Sequence, residues 1–293
     1  MFDGVHLGHQ AIIQRMLEVS RPRHLSTLVI TFHPHPAVVL RGKTGTIYLT
    51  LPEERVQLLG ELGVDGVFVL PFDQDMAATS ARDFVARLKK HLRMKMLCVG
   101  PDFALGRGRE GNLPVLRQLG AEMAFDVQVI DSIRFSEGVI SSSQIRALLE
   151  AGNVSRAAAL LGRPYRLSGE VIPGDQRGRT IGFPTANLRI PEGKLVPANG
   201  VYACRARLGE AAWAAAINIG VRPTFDGQGN AVHVEAYLLD FKGNLYGQEL
   251  MLEFIEYLRG EVRFPSIQAL VEQIRLDVES TRRIFENQAE RSG

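Results

Sequence analysis

Phe2-Asp3-Gly4-Val5-His6-Leu7-Gly8-His9 is a glycine- and histidine-rich turn that runs straight into an apolar helical pattern. If the chain is helical from Leu7 onward, His6 and His9 lie three apart and share a face at the helix N-terminus. Free backbone N–H groups and the helix dipole favour an anion there, and the intervening glycine lets a phosphate approach closely. Two imidazoles can then donate hydrogen bonds to phosphate oxygens and follow the charge that develops during a displacement. The plainer alternative is a turn whose histidines only cap the helix. A zinc site fits less well, because no cysteine or acidic residue at helical spacing completes it.

Outward from this turn, short β-branched runs alternate with helical patterns. Residues 28–32, 64–70, 96–99 and 125–130 read as strands. Helices between them carry start signals, Thr50 with Glu53 and Ser80 with Asp83 as capping boxes. Near-continuous apolar strands alternating with helices predict a parallel sheet covered on both faces, with ligand sites at the carboxyl ends of its strands. Two short helices, separated around Gly152-Asn153 and ending at Gly162, close this half. After Pro164 the rhythm changes. Residues 167–172, 201–208, 213–219, 232–239 and 250–258 are strand candidates separated by Gly/Pro/Asn turns. They predict a small antiparallel barrel, followed by a helix over about 266–286 with Ile267, Leu270, Ile274 and Val278 on one face.

Length and composition agree with two domains. The chain has 293 residues, 45% of them hydrophobic and 23% charged, which excludes a disordered chain. Thirty-four basic residues against 32 acidic ones leave no basic excess of the kind nucleic-acid binding through many phosphates requires. No apolar run reaches the roughly 20 residues of a membrane span, and no signal-peptide pattern opens the chain. Cys98 and Cys204 lack metal-ligand spacing and read as reduced core residues, so a cytoplasmic protein is expected, with no nucleic-acid or membrane partner. The oligomeric state is not readable.

A second constellation spans Gly169, Gly174, Gly178-Arg179 and Pro184-Thr185-Ala186-Asn187. Such glycine density suits a loop that wraps phosphates, and Thr185 and Asn187 offer hard oxygen ligands for Mg²⁺. The alternative is a hairpin turn with a rigid Pro184, and the pattern is not a Walker A sequence. Downstream, strand alternation puts His233, Glu235 and Tyr237 on one face and Val234, Ala236 and Leu238 on the other. Glu235 is then either a solvated side chain or a general base for a hydroxyl.

The order of Phe2-Asp-Gly-Val-His-Leu-Gly-His9, Thr31-Phe-His-Pro-His-Pro36, Gly100-Pro-Asp-Phe103 and Ile140-Ser-Ser-Ser-Gln-Ile-Arg146 resembles the nucleotidyltransferase half of the bacterial bifunctional riboflavin kinase/FAD synthetases. Pro184-Thr-Ala-Asn187, Asn199-Gly-Val-Tyr202, Asn218-Ile-Gly-Val-Arg-Pro-Thr-Phe225, Glu235-x4-Asp240-Phe241 and Leu258-Arg-x-Glu261 resemble the kinase half, in order. The resemblance implies an α/β nucleotidyltransferase domain, residues 1–162, followed by a six-stranded antiparallel β-barrel kinase domain with a C-terminal helix, residues 163–293. Riboflavin and ATP would give FMN, and FMN with a second ATP would give FAD, with Mg²⁺ present.

It also implies roles. His6 and His9 would contact the ATP phosphates with Asp3, Gly4 and Gly8, and Ser142, Ser143 and Arg146 would grip them from the opposite side. Asp102 would hold the nucleotide or the metal, while Phe32, Pro34 and Phe103 would flank the flavin. In the kinase half Glu235 would be the base, Thr185 and Asn187 the metal ligands, Gly174, Gly178 and Arg179 the nucleotide loop. Arg222 and Arg259 would lie in mobile loops near the flavin or phosphates. Leu105 stands where the family usually has an aromatic residue, and Ser143 replaces a more usual threonine. In that family a strand also precedes Phe2, where this sequence has Met1, so the resemblance implies a sheet short of a central strand. The alternatives are a kinase alone, with a weak first domain, and a flavin-binding sensor without catalysis.

Overall fold

A computed structural model describes the chain except for residues 43–47, 131–137, 175–177, 179–180, 224–229 and 293. The chain divides into two compact units, Met1–Ser142 and Ser143–Gly293.

In the first unit the histidine turn leads into α1 (Leu7–Ser20), then β1 (Leu28–His33), α2 (Pro36–Arg41), α3 (Pro52–Glu61) and β2 (Gly66–Pro71). These are followed by α4 (Gln74–Ala78), α5 (Ala81–Leu92), β3 (Met96–Val99), α6 (Leu113–Met123) and β4 (Asp126–Val129). All four expected strands are present, but they pair as two separate two-stranded parallel sheets, β1 with β2 and β3 with β4. Each pair has its own core. Ile13 and Leu17 of α1 and Leu58 and Leu59 of α3 pack with Val29 of β1, while Val85 of α5 and Leu116 and Leu119 of α6 pack with Phe125 beside β4. The pairing follows the crossovers, since each short parallel pair is joined through the helices that cover it.

The start of α3 corrects one expected cap. The N-cap is Leu51, which has no side-chain acceptor, so only the reverse half of a capping box forms, one residue later than Thr50-x-x-Glu53: Leu51 N–H donates to Glu54 Oε2 at 2.8 Å. The Thr50 hydroxyl is engaged elsewhere, as described below. The Ser80–Asp83 cap holds, with Asp83 N–H donating to Ser80 Oγ at 3.0 Å.

The second unit takes in α7 (Ser142–Glu150) from its second residue and α8 (Val154–Leu161). By packing, these helices belong with the barrel: Leu149, Val154, Ala157 and Leu161 are buried, Ala198 N–H donates to Leu149 C=O, and Ser155 Oγ–H donates to Ile255 C=O. The barrel is closed and six-stranded, formed by β5 (Tyr165–Ile172), β6 (Ala186–Arg189), β7 (Gly200–Leu208), β8 (Ala211–Pro223), β9 (Asn230–Leu238) and β10 (Glu249–Arg259). Its circular order is β10-β5-β6-β9-β8-β7, antiparallel throughout. Five strands match the alternation read from sequence. The sixth, β6, was read as a polar turn. It is only four residues long, and its inward pair, Ala186 and Leu188, is buried. The last helix, α9 (Ile267–Ser292), starts as expected and runs longer. Its buried positions include Asp277 and Thr281, and Ile267 is exposed.

Candidate functional site

The histidine turn is held from beneath by a buried polar network. Asp3 is 1% exposed, and its carboxylate accepts from the N–H of Leu49 (3.2 Å), the N–H of Thr50 (3.0 Å) and the hydroxyl of Thr50 (3.2 Å). The same hydroxyl oxygen accepts from Gly4 N–H at 2.9 Å. A fully buried arginine completes the network. Arg55 Nη2 lies 3.6 Å from Asp3 Oδ1 and donates to Thr50 C=O, and Nη1 donates to Thr31 Oγ1 at 3.1 Å. Asp3 therefore positions the turn from inside. Sequence reasoning missed Arg55. Its signal was a cation on the same helical stripe as Leu58, Leu59 and Leu62.

This foundation supports an unusual backbone. Phe2, Gly4 and Val5 all have positive φ, at 56°, 81° and 40°. A β-branched residue at φ 40° is strained, and Val5 keeps that conformation because its side chain is locked in the core beside Ile13 and Leu17. The turn thus delivers His6 as the N-cap of α1, where its Nδ1 accepts from His9 N–H at 3.3 Å. Both readings of the turn are therefore present at once, because the capping histidine also brings the pair together. The rings stack with centroids 3.7 Å apart and planes 18° from parallel. Gly8 is what permits the stack: a Cβ there would stand 3.1 Å from His6 Nδ1. Among the described residues His9 Nδ1 is buried with no hydrogen-bond partner. Burial, and next the adjacent His6, hold the pKa of His9 well below the ordinary imidazole range, so the ring is neutral near pH 7.

Other expected residues of this half take different positions. Ser142 Oγ–H donates to Asp3 C=O at 2.9 Å, within the first unit. Ser143 and Arg146 lie on the same helix but in the second unit. Pro34 follows β1, and Asp102 and Phe103 follow β3, so all three lie at carboxyl ends of strands, where α/β sheets place ligands. Asp102 is exposed and its carbonyl accepts from Arg109, while Phe103 is 40% exposed. Phe32 differs from it, since its ring packs on Phe72 at 5.5 Å and Phe84 at 6.3 Å.

In the barrel the site is set by register. Glu235 on β9 pairs with Asn187 on β6 on one side and Asn218 on β8 on the other. Directly paired residues share a face, so these three form one polar row on the outside of the barrel. The neighbours in alternation, Val234, Ala236, Ala186, Leu188, Ile217 and Ile219, are buried inside it. Gly174 and Gly178 approach the β6 end of the row closely. A Cβ on Gly174 would stand 2.1 Å from Asn187 Nδ2, and one on Gly178 would stand 2.3 Å from Phe183 O and 3.4 Å from Thr185 Oγ1. Phe183 packs edge-on against Tyr237, at 5.3 Å. His233 pairs with Gly220, and a Cβ on Gly220 would stand 2.4 Å from Glu261 Oε1, so the Glu261 carboxylate reaches this same face.

The two arginines expected in mobile loops are strand residues. Arg222 lies in β8, opposite Ala231, and its side chain falls outside the described residues, as does Arg179 entirely. Arg259 ends β10. Its Nε and Nη2 donate to the Asp277 carboxylate at 2.7–3.1 Å, its Nη1 donates to Gly260 C=O, and Gln273 also donates to Asp277. Its guanidinium is thus engaged by α9.

Comparison with known proteins follows this division. A family model for FAD synthetase matches residues 1–144, and one for riboflavin kinase matches residues 161–285. The bifunctional riboflavin kinase/FMN adenylyltransferase of Escherichia coli K12 is 40% identical over 97% of this chain and 90% of its own length. The Listeria monocytogenes protein of the same description is 37% identical over 97% and 90%, and that of Pseudomonas fluorescens 38% identical over 99% and 93%. A solved structure from Streptococcus pneumoniae, described as a macrolide-efflux protein, has a TM-score of 0.89 and 31% identity over 96% of this chain and 91% of its own. Among the described residues of this chain no helix is long and apolar enough to cross a membrane.

Proposed function

The chain belongs to the family of bifunctional riboflavin kinase/FMN adenylyltransferases, and on that premise we propose how its residues share the two reactions. It phosphorylates riboflavin with ATP to give FMN, and it transfers the adenylyl group of a second ATP to FMN, giving FAD and pyrophosphate. Riboflavin, FMN and ATP are its substrates.

Adenylyl transfer falls to the histidine turn. An FMN phosphate oxygen attacks the α-phosphorus of ATP and pyrophosphate leaves. The nucleophile is already ionised, so the site has to position charges rather than remove a proton. Stacked His6 and His9 donate to the phosphates at the N-terminus of α1, with Gly4 and Gly8 allowing close approach and Asp3 fixing the turn. Ser142, Ser143 and Arg146 bind the nucleotide from α7, Asp102 assists, and Pro34 and Phe103 line the flavin, with Phe32 behind them.

Phosphorylation falls to the barrel. Glu235 takes the proton of the riboflavin 5′-hydroxyl as its oxygen attacks the γ-phosphorus, and ADP leaves. The polar row supports this reading: it sets a carboxylate directly beside the Asn187 amide, over which Gly174 lies. Mg²⁺ fits Thr185 and Asn187, which are both hard oxygen donors, and the loop above them admits no Cβ at Gly174. When bound, the ion neutralises triphosphate charge. The nucleotide is assigned to Gly174, Gly178 and Arg179, and the flavin to Arg222. Arg259 serves the flavin side by anchoring the end of β10 to α9. Functionally the boundary falls at 162/163, and the enzyme works in the cytoplasm on small molecules, without nucleic acid or membrane.

The test uses both activities of one polypeptide. Glu235→Gln is expected to lower FMN formation by about 10²–10⁴-fold and to leave FMN-to-FAD conversion intact. His6→Ala combined with His9→Ala is expected to do the reverse. Loss of both activities in either variant would overturn the assignment.

A further inference from the structure

The polar row on the barrel contains one residue with no part in proton removal or metal binding. Asn218 lies in mid-strand, paired with Val201 on β7 and Glu235 on β9. It is exposed, and among the described residues its side-chain amide makes no hydrogen bond. Asparagine is disfavoured in strand interiors, and so is glycine, yet the next position on this face is Gly220. Neither residue adds packing to the barrel. The two poor strand formers sit where β8 faces His233 and Glu235, and the Glu261 carboxylate uses the space left by Gly220.

The order of the row gives this amide a direction. Asn187, under Gly174, stands on the nucleotide side of Glu235, and Asn218 stands on the other side. In phosphoryl transfer the attacking and leaving oxygens lie roughly in line, so the alcohol approaches from the side of the base away from the nucleotide. We propose that Asn218 is a positioning residue for the acceptor: its amide hydrogen-bonds the polyol chain of riboflavin and holds the terminal hydroxyl at Glu235. An amide suits a polyol because it offers both donors and an acceptor, matching hydroxyls that do the same. Directly opposed strand residues have Cβ atoms about 4.5–5.5 Å apart, which lets an amide and a carboxylate grip neighbouring hydroxyls of one chain. This inference rests on Glu235 being the base.

Steady-state kinetics of the full chain test it. Asn218→Ala is expected to lower kcat/KM for riboflavin about tenfold, the loss of roughly one neutral hydrogen bond. The KM for ATP, the rate of FMN-to-FAD conversion and the thermal midpoint should stay unchanged. Asn218→Ser, whose hydroxyl can still donate and accept, should recover part of the loss. Riboflavin kinetics in Asn218→Ala within about twofold of the parent would overturn the proposal, as would a defect confined to the KM for ATP. If Glu235→Gln retained FMN formation, the base assignment would fall. A riboflavin-specific defect in Asn218→Ala would still support the polyol contact.

Discussion

The two candidate centres are fixed in place by different means. The histidine turn depends on a buried network: strained backbone at Val5, a carboxylate and a guanidinium out of water, and a glycine that lets two rings stack. The barrel row depends on hydrogen-bonded strand register, and its polar side chains stand half-exposed or exposed on an apolar wall. A network concentrates the positioning energy in a few groups, while register spreads it over many backbone bonds. Single substitutions should therefore damage the first centre through stability and the second through local geometry.

The largest contrast should come from ion pairs. Arg55→Met leaves Asp3 buried without its cation and is expected to cost the first unit about 3–5 kcal/mol. Arg189→Met removes the exposed pair with Glu170 on the barrel and should cost less than about 1 kcal/mol. Unfolding midpoints followed by limited proteolysis of each unit would measure both, and equal losses would break the comparison. Next in size is Gly174→Ala. The added carbon meets the Asn187 amide, so FMN formation should fall about 100-fold with little change in stability or in FAD formation from FMN. Unfolding of the barrel in that variant would show that the loop is structural.

The smallest effect is a pH dependence confined to the first unit. The folded pKa of His9 lies below its unfolded value of 6.5, so the unfolded chain binds the proton more readily. The stability contributed is complete above that value and is lost as pH falls below it, at up to about 1.4 kcal/mol per pH unit. The first unit's midpoint should drop between about pH 7.5 and about pH 5.5, and His9→Gln should flatten the curve. A flat profile in the parent would mean that the fold does not lower the His9 pKa.

Periodicity made much of this legible. The four strands of the first unit and five of the barrel follow from β-branched runs and alternation, and the polar face of β9 was read correctly down to Glu235. Other features depended on long-range partners. Ala186–Arg189 is too short to show a period, and only its two neighbours make it a strand. The Thr50 hydroxyl could not cap α3 because Asp3 and Gly4 engage it, across more than 40 residues of sequence. The apolar stripes of α7 and α8 were visible, but which surface they cover was not. Asn218 carried a signal in the form of an amide where a strand wants a β-branched residue, and it became interpretable once its partner was known to be Glu235.

That helix pair also limits how the enzyme can be taken apart. A gene cut after residue 162 would leave α7 and α8 with the adenylyltransferase and strip the barrel of Leu149, Val154, Ala157 and Leu161. A cut after Ser142 follows the division between the two compact units and would keep the barrel with the helices that cover it. A kinase half meant to fold alone should therefore begin at Ser143 and not at the change of sequence rhythm near Pro164.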